Sequence, residues 1–367
     1  MSTTRTRGAD VEVIDVSTKP HSREDWDAKM AELHERLVAS VEALVTGNEW
    51  RHALEYAARF RTRSFNNTLL ICAQHAAAYE GGLVPGAFPS YVAGFSQWQA
   101  LGRHVVAGQK GYMTLAPVTA RFASSSPADV GSWRKLNRNE RPRAGEVVRQ
   151  RMVGVRPAYV WDVSQTDGSP IPERPAPTLL SGEAPRGLWE GLAAVTQDAG
   201  FALSLVPDAA SLDGANGRTD FGRRTVSVRA DMDAAARVKT LAHELAHIHM
   251  HAPDAETLSR RGITEVEAES VALMIGAAHG MDTSDYTIPY VSSWASSVAG
   301  KTATEVAQET GERVRRAAVA ILDRLQTDQI EAGGPPALDR SQPTQNLNAA
   351  PTAPRGVPVH RLGSRSL

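Results

Sequence analysis

The 367-residue chain is predicted to be an α+β protein of two domains with polar tails. Three observations predict this. Apolar residues at three- and four-residue steps alternate with short β-branched runs in both halves. Five prolines, at positions 170, 172, 175, 177 and 185, mark a linker over 166–186. Residues 1–22 and 329–367 carry no apolar period and read as a mobile tail and a disordered tail. The domains expected between them span 23–165 and 187–328.

In the first half, Trp26, Met30, Leu33, Leu37 and Val41 space out one amphipathic helix. Further helices are expected from Glu49 to Arg61, Asn67 to Tyr79 and Tyr91 to Leu101. Gly81-Gly82 and Pro85-Gly86 break the chain between the last two. Val105-Val106 and Tyr112–Leu115 flank Gly108–Gly111 and predict a β-hairpin. A basic loop, Phe122–Arg149, leads into a strand that ends near Trp161. In the second half a helix at Gly187–Ala199 precedes strands at Phe201–Val206 and Thr225–Arg229. Helices follow over Met232–Met250, Glu265–His279 and Ala303–Leu325.

Hydrophobic residues at 42% and charged residues at 22% are ordinary for a globular chain able to bury a sizeable core in each half. The single cysteine, Cys72, excludes an internal disulfide framework and fits a reducing, cytoplasmic setting. Its apolar surroundings, Leu69-Leu70-Ile71, predict a buried thiol. Met1–Pro20 has no signal-peptide core, and the longest apolar stretch, Val271–Ala278, is far short of the roughly 20 residues that span a bilayer. No membrane association is expected.

His243-Glu244-Leu245-Ala246-His247 matches HExxH. About one chain in fifty of this composition would carry the motif by accident, and fewer on a helix. Positions i and i+4 share a helix face, so both imidazoles can address one zinc ion. Glu244 lies about 100° round the helix, where it can act as general base on a water activated by the metal. Val238, Leu241, Leu245 and Ile248 predict the buried face, and Asp231 or Asp233 a cap. The motif resembles that of zincins, and this resemblance implies that the strand just upstream, Thr225–Arg229, is the edge along which an extended substrate lies.

Zinc needs a third protein ligand. Pro253 stands where the metzincin pattern requires histidine, which excludes that class. Glu265 and Glu269 share one face of the next helix and are costly to bury unpaired. Glu265 is read as the third ligand and Glu269 as the group orienting a ligand histidine, with the reverse order open. Thr264 and Glu267 are read as a capping box. His249 and His251 crowd the same helix; His251, four residues after His247, is expected to be solvated where the helix ends before Pro253, with a competing metal ligand as the alternative. Tyr286 and Tyr290 are read as core or surface residues, with an oxyanion contact as the alternative.

Between Arg51 and Trp161 lie 15 Lys or Arg and 5 acids, a balance of +10 that leaves -11 elsewhere, and 13 of the 21 aromatics. Cations interleaved with rings suit single-stranded nucleic acid, whose phosphates they neutralise and whose bases stack. Arg59, Arg61 and Arg63 before Phe65-Asn66-Asn67, and Trp98 before Arg103 and Lys110, are the candidate contacts.

Ser64–Ile71, Val92–Arg103, Gly108–Gly111 leading to Ala116-Pro117, and Val160–Thr166 together resemble the N-terminal domain of the ArdC antirestriction family. His243–His247 with Glu265–Ala268 resembles the ImmA/IrrE type of zincin. The resemblance covers about residues 45–300. It implies an N-terminal α/β single-stranded-DNA-binding domain followed by a zincin-like metallopeptidase domain, with Zn2+ as cofactor. It also implies antirestriction, the protection of incoming mobile DNA. Two other functions fit the residues. One is a regulatory peptidase that cleaves a repressor; the other is a non-catalytic DNA-binding protection factor with a vestigial zinc site.

Overall fold

The computed structural model describes residues 23–44, 46–171, 182–251, 261–284, 286, 289, 291–296, 298, 300–330 and 334. The expected tail at 1–22, linker residues 172–181, Tyr290, and residues 331–333 and 335–367 of the tail expected over 329–367 lie outside them.

The chain opens with α1 (Arg23–Glu42), α2 (Gly47–Arg59) and α3 (Phe65–Glu80). Leu33, Leu37 and Val41 are the buried face of α1, at the spacing that predicts them. Side chains fix the helix starts. Thr46 and Glu49 form a capping box, with Glu49 Oε2 accepting from Thr46 N at 2.7 Å, so α2 begins ahead of Glu49. Ser64 Oγ accepts from Asn67 N and starts α3 at Phe65.

The helix expected over 91–101 is split into β1 (Val92–Ala93) and α4 (Phe95–Ala100). Gly94 lies between them, and its N–H donates to Gln97 Oε1 at 2.8 Å. The expected hairpin does not form. β2 (Arg103–Val105) pairs instead with β6 (Thr166–Gly168), which uses the start of the expected linker. β3 (Tyr112–Ser124) pairs along its whole length with β5 (Val147–Asp162). That ladder satisfies many more backbone groups than a four-residue turn could. With β4 (Arg134–Lys135) the sheet order is β1-β5-β3-β4. The outer part of β5, Val147–Val155, is exposed throughout, so β3 and β5 form an arm there, with β4 on the other side of β3 at Phe122–Ala123.

The second half contains α5 (Leu188–Asp198), β7 (Ala202–Val206), β8 (Gly217–Asp220) and β9 (Thr225–Arg229). Among the described residues four helices follow: α6 (Ala234–Met250), α7 (Arg261–Ala278), α8 (Val291–Ala295) and α9 (Ala303–Leu322). The sheet order is β7-β9-β8, with β9 parallel to β7 and antiparallel to β8. β9 is therefore central, and the edge expected there belongs to β8. Gly217-Arg218-Thr219-Asp220 has no apolar alternation to announce a strand.

One hydrophobic core runs from α1–α3 through α5–α9. Trp50 of α2 is fully buried, its ring 5.6 Å from Phe65 and 5.1 Å from Trp294, and its Nε1 donates to Ser270 Oγ of α7 at 3.0 Å. Phe65 N donates to Glu312 Oε2 of α9 at 2.9 Å. The helices of the first half thus form one wall of the helix bundle that carries the HExxH motif. Among the described residues no helix is long and apolar enough to cross a membrane.

Candidate metal centre

Asp233 Oδ1 accepts from Ala236 N at 2.7 Å and sets the phase of α6. Val238, Leu241 and Leu245 then face the core, while His243 and His247 face α7. His243 Nε2 and His247 Nε2 are 3.1 Å apart. Glu265 Oε2 lies 3.4 Å from the first and 3.8 Å from the second. Among the described residues these three form the group whose donor atoms, all within 4.8 Å of one another, can hold a metal ion.

The donor chemistry fits a divalent cation. Two neutral imidazoles aiming Nε2 at one point bring lone pairs together beside a carboxylate, an arrangement that a cation or a proton must relieve. Without metal, a proton does so on one ring. Burial disfavours the His243 cation, but hydrogen bonds to Glu265 and Glu269 outweigh it and hold its pKa up at about 9. Burial, and then the charge on His243, push His247 down.

Glu269 lies on the far side of His243, its Oε2 3.2 Å from Nδ1 and its Oε1 2.9 Å from Lys239 Nζ. Glu244 points the other way, toward β8. Thr219 Oγ1 donates to Glu244 Oε2 at 2.7 Å, and Gly217 lets β8 approach. A Cβ at Gly217 would sit 2.8 Å from Glu244 Oε1 and 2.6 Å from Thr240 Cγ2. Burial raises the Glu244 pKa, and the Thr219 hydrogen bond opposes that rise only in part. All these groups except the α6 core face line one cavity of 1130 Å³.

Two readings of nearby residues change, and that of Tyr286 as a core residue holds. His251 is buried, not solvated, and bonds to His247 and Glu267. α7 starts at Arg261, so Thr264 is inside the helix and Glu267 is not part of a capping box. Tyr286 is buried, with its hydroxyl donating to Ala272 O at 3.3 Å and its ring 4.0 Å from Lys239 Nζ. Thr219 and Gly217 had no signal in the sequence. His251 had one, its i+4 spacing from His247.

The candidate DNA contacts of the first half are mostly engaged within the fold. Trp98 is fully buried and its Nε1 donates to Trp161 O at 3.0 Å, leaving no ring face for a base. Arg103 is buried, with Nε on Thr166 Oγ1 at 2.9 Å and Nη2 on Thr166 O at 2.8 Å. Asn67 exchanges two 2.8 Å bonds with the Leu115 backbone. Arg63 donates to Val92 O at 2.9 Å, and burial lowers its pKa to about 10. Arg61 donates to Ile330 O at 3.1 Å. Arg59 and Lys110 are exposed.

On the arm the picture differs. Trp133 has the Arg149 guanidinium 5.0 Å and that of Arg151 4.9 Å from its ring centre, and Arg151 also lies 5.7 Å from Phe122. Both arginines are exposed. Residues 121–156 hold nine Lys or Arg against three acids, a balance of +6.

Comparison with known proteins accounts for both halves. Residues 28–161 match the family model described as the N-terminal domain of anti-restriction factor ArdC, and residues 205–292 the IrrE N-terminal-like domain of the M78 peptidases. The first half is thus similar to an ArdC N-terminal domain and the second to an IrrE-like domain. An uncharacterised protein of Bacillus anthracis is 22% identical over 293 residues, which are 75% of this chain and 48% of that protein. The chain thus spans about half the length of that curated relative. The metal-free crystal structure of the antirestriction ArdC protein of plasmid R388 is similar at 19% identity and a TM-score of 0.46, over 80% of this chain and 96% of that one. Its Mn(II)-bound structure aligns at 19% identity and a TM-score of 0.40, over 71% and 88%.

Proposed function

We propose that this ArdC-like chain binds single-stranded DNA through its first half and holds zinc in its second as a metallopeptidase, serving antirestriction. The observation that carries the reading is the convergence of His243, His247 and Glu265 beside a buried Glu244 held by Thr219. In this reading His243 and His247 ligate through Nε2 and Glu265 through a carboxylate oxygen. Bound zinc would supply a Lewis acid that acidifies a water to a pKa of about 7 and polarises a peptide carbonyl.

The chain's own residues do the rest. Thr219 fixes Glu244 Oε2, leaving Oε1 to take the proton as the water oxygen bonds to the carbonyl carbon. Glu244 then hands that proton to the amine nitrogen as the C–N bond breaks. Its raised pKa makes the carboxylate a stronger base for the first transfer. Among the described residues β8 pairs only on its β9 side, and it offers a backbone edge along which an extended peptide can lie.

The DNA grip in this reading is the arm. Arg149 and Arg151 can bind phosphates while Trp133 and Phe122 present rings, and Arg138, Arg141 and Arg143 extend the charge. Anisotropy of a labelled single strand should report binding that weakens with salt. Replacing Arg149 and Arg151 by alanine should reduce the log–log salt slope by about 1.4. A salt-independent interaction, or none, would remove the DNA claim. Glu244→Gln should retain zinc and DNA binding but lose about 10²-fold or more of peptide-library hydrolysis, read by mass spectrometry. If Glu244→Gln and wild type hydrolyse the library equally, the peptidase claim fails.

A further inference from the structure

The two histidines of the metal centre are held from behind by different devices. His243 Nδ1 meets a carboxylate directly, Glu269 Oε2 at 3.2 Å. His247 Nδ1 meets a second imidazole, His251 Nδ1, at 2.9 Å. His251 Nε2 lies 3.0 Å from Glu267 Oε2. Glu267 Oε1 in turn accepts from Arg313 Nε of α9 at 2.7 Å. His251 and Glu267 are 6% and 4% exposed, so water cannot stand in for either partner.

Geometry orders the protons along this chain. His247 Nε2 is turned toward His243 and Glu265, so as a neutral ligand His247 carries its hydrogen on Nδ1. That N–H donates to His251 Nδ1, which must therefore be a bare acceptor. The His251 hydrogen then sits on Nε2 and donates to the Glu267 carboxylate, whose other oxygen is occupied by Arg313. Every donor faces an acceptor. The backbone supports the placement, because α6 ends at Met250 and His251, in extended conformation, comes back over the His247 ring one turn later.

We propose that His251 is a positioning residue for the metal centre, fixing the ring plane and tautomer of His247 through Glu267 and Arg313. It rests on the zinc reading above. A ligand histidine held by a neutral imidazole is a weaker base than one held by a carboxylate, so the two histidine ligands are electronically unequal. Removing His251 leaves His247 Nδ1–H buried without an acceptor and frees the ring to rotate. Loss of such an outer partner costs about 10–100-fold in metal affinity.

The test is zinc affinity by competition with a chromogenic chelator, together with the visible spectrum of the Co2+-loaded protein. The variants are His251→Ala and Glu267→Gln. His251→Ala should bind zinc about 10–100-fold more weakly and shift the Co2+ bands. Glu267→Gln keeps the shape and removes the charge, and should give a smaller change in the same direction. A residue that merely packs would lower thermal stability without moving the Co2+ bands. Wild-type affinity and bands in both variants overturn the proposal. If His251→Ala does not fold, unchanged bands in Glu267→Gln overturn it alone. Failure of wild type itself to bind zinc would overturn the metal reading, a different result from wild-type binding with silent variants.

Discussion

At the residue scale, the chemistry depends on which way each short side chain is turned. Glu244 and Glu269 are both acids close to His243, but one is held toward β8 by Thr219 and the other behind the ring by Lys239. The first lines the cavity, where the proposed function has it act on a substrate. The second can only polarise and aim the imidazole. Gly217 keeps this separation, since any Cβ there would push on the Glu244 carboxylate and on Thr240. Gly217→Ala is expected to lower peptide hydrolysis about tenfold or more while zinc content stays at wild type. Metal analysis beside the hydrolysis assay checks this, and parallel loss of both would show that the glycine serves the fold rather than the base. HExxH and its following acids were legible because chemistry restricts metal ligands to a few residue types at helical spacing. Thr219 and Gly217 were not, since a threonine and a glycine in a polar strand look like any loop.

At the scale of elements, the main revision concerns charge. The arginines of the first half divide into those that staple strands and those that stand free. Arg103 belongs to the first group, because its guanidinium ties β2 to β6 through Thr166 and Ser169. Arg103→Ala is therefore expected to cost about 2–4 kcal/mol of stability, through buried carbonyls left unpaired. Its single-strand affinity, measured below the unfolding transition, should remain at wild type. Urea unfolding and anisotropy on the same preparation separate the two effects. A selective loss of DNA affinity would return Arg103 to the interface. Counting charges cannot make this distinction, since a guanidinium serves a carbonyl as well as a phosphate. The strand pairing behind it, β2 with β6 across more than 60 residues, has no local signature.

At the scale of the whole molecule, the junction between α3 and α9 decides whether the two halves act as one body. A side chain at Gly311 would occupy the space of the Phe65 ring. Gly311→Ala is expected to destabilise the protein by about 1–3 kcal/mol, seen as a lower urea midpoint. An unchanged midpoint would mean that the junction opens at little cost. Beside it, Glu312 accepts from Phe65 N and from Arg315. Burial raises its carboxyl, but those two hydrogen bonds outweigh burial and hold it below the usual range. The folded pKa is depressed, so this contribution is present above the ordinary carboxylate pKa of about 4.5 and fades as pH falls through the folded value. Glu312→Gln should cost about 1 kcal/mol at pH 7 and approach wild type as the pH falls below the ordinary carboxylate value. A constant difference across that range would assign the effect to shape instead of charge.

The sequence by itself determined the α+β class, most of the helices, the polar tails and the likeness to ArdC and IrrE-type domains. It also placed His243, His247, Glu265 and Glu269 on two facing helices. Those features are local: a helix period, a cap or a ligand spacing is written within a few residues. Tertiary structure decided what arises between distant segments. It moved the free edge from β9 to β8, replaced a local hairpin by the long β3–β5 arm, and buried Trp98 and Arg103. It also brought His251 onto Glu267 and Arg313, a chain of contacts that no single stretch of sequence contains. The physical reason is that burial and pairing are properties of where two segments meet, and the same histidine or arginine reads alike in sequence whether it faces water or a neighbour.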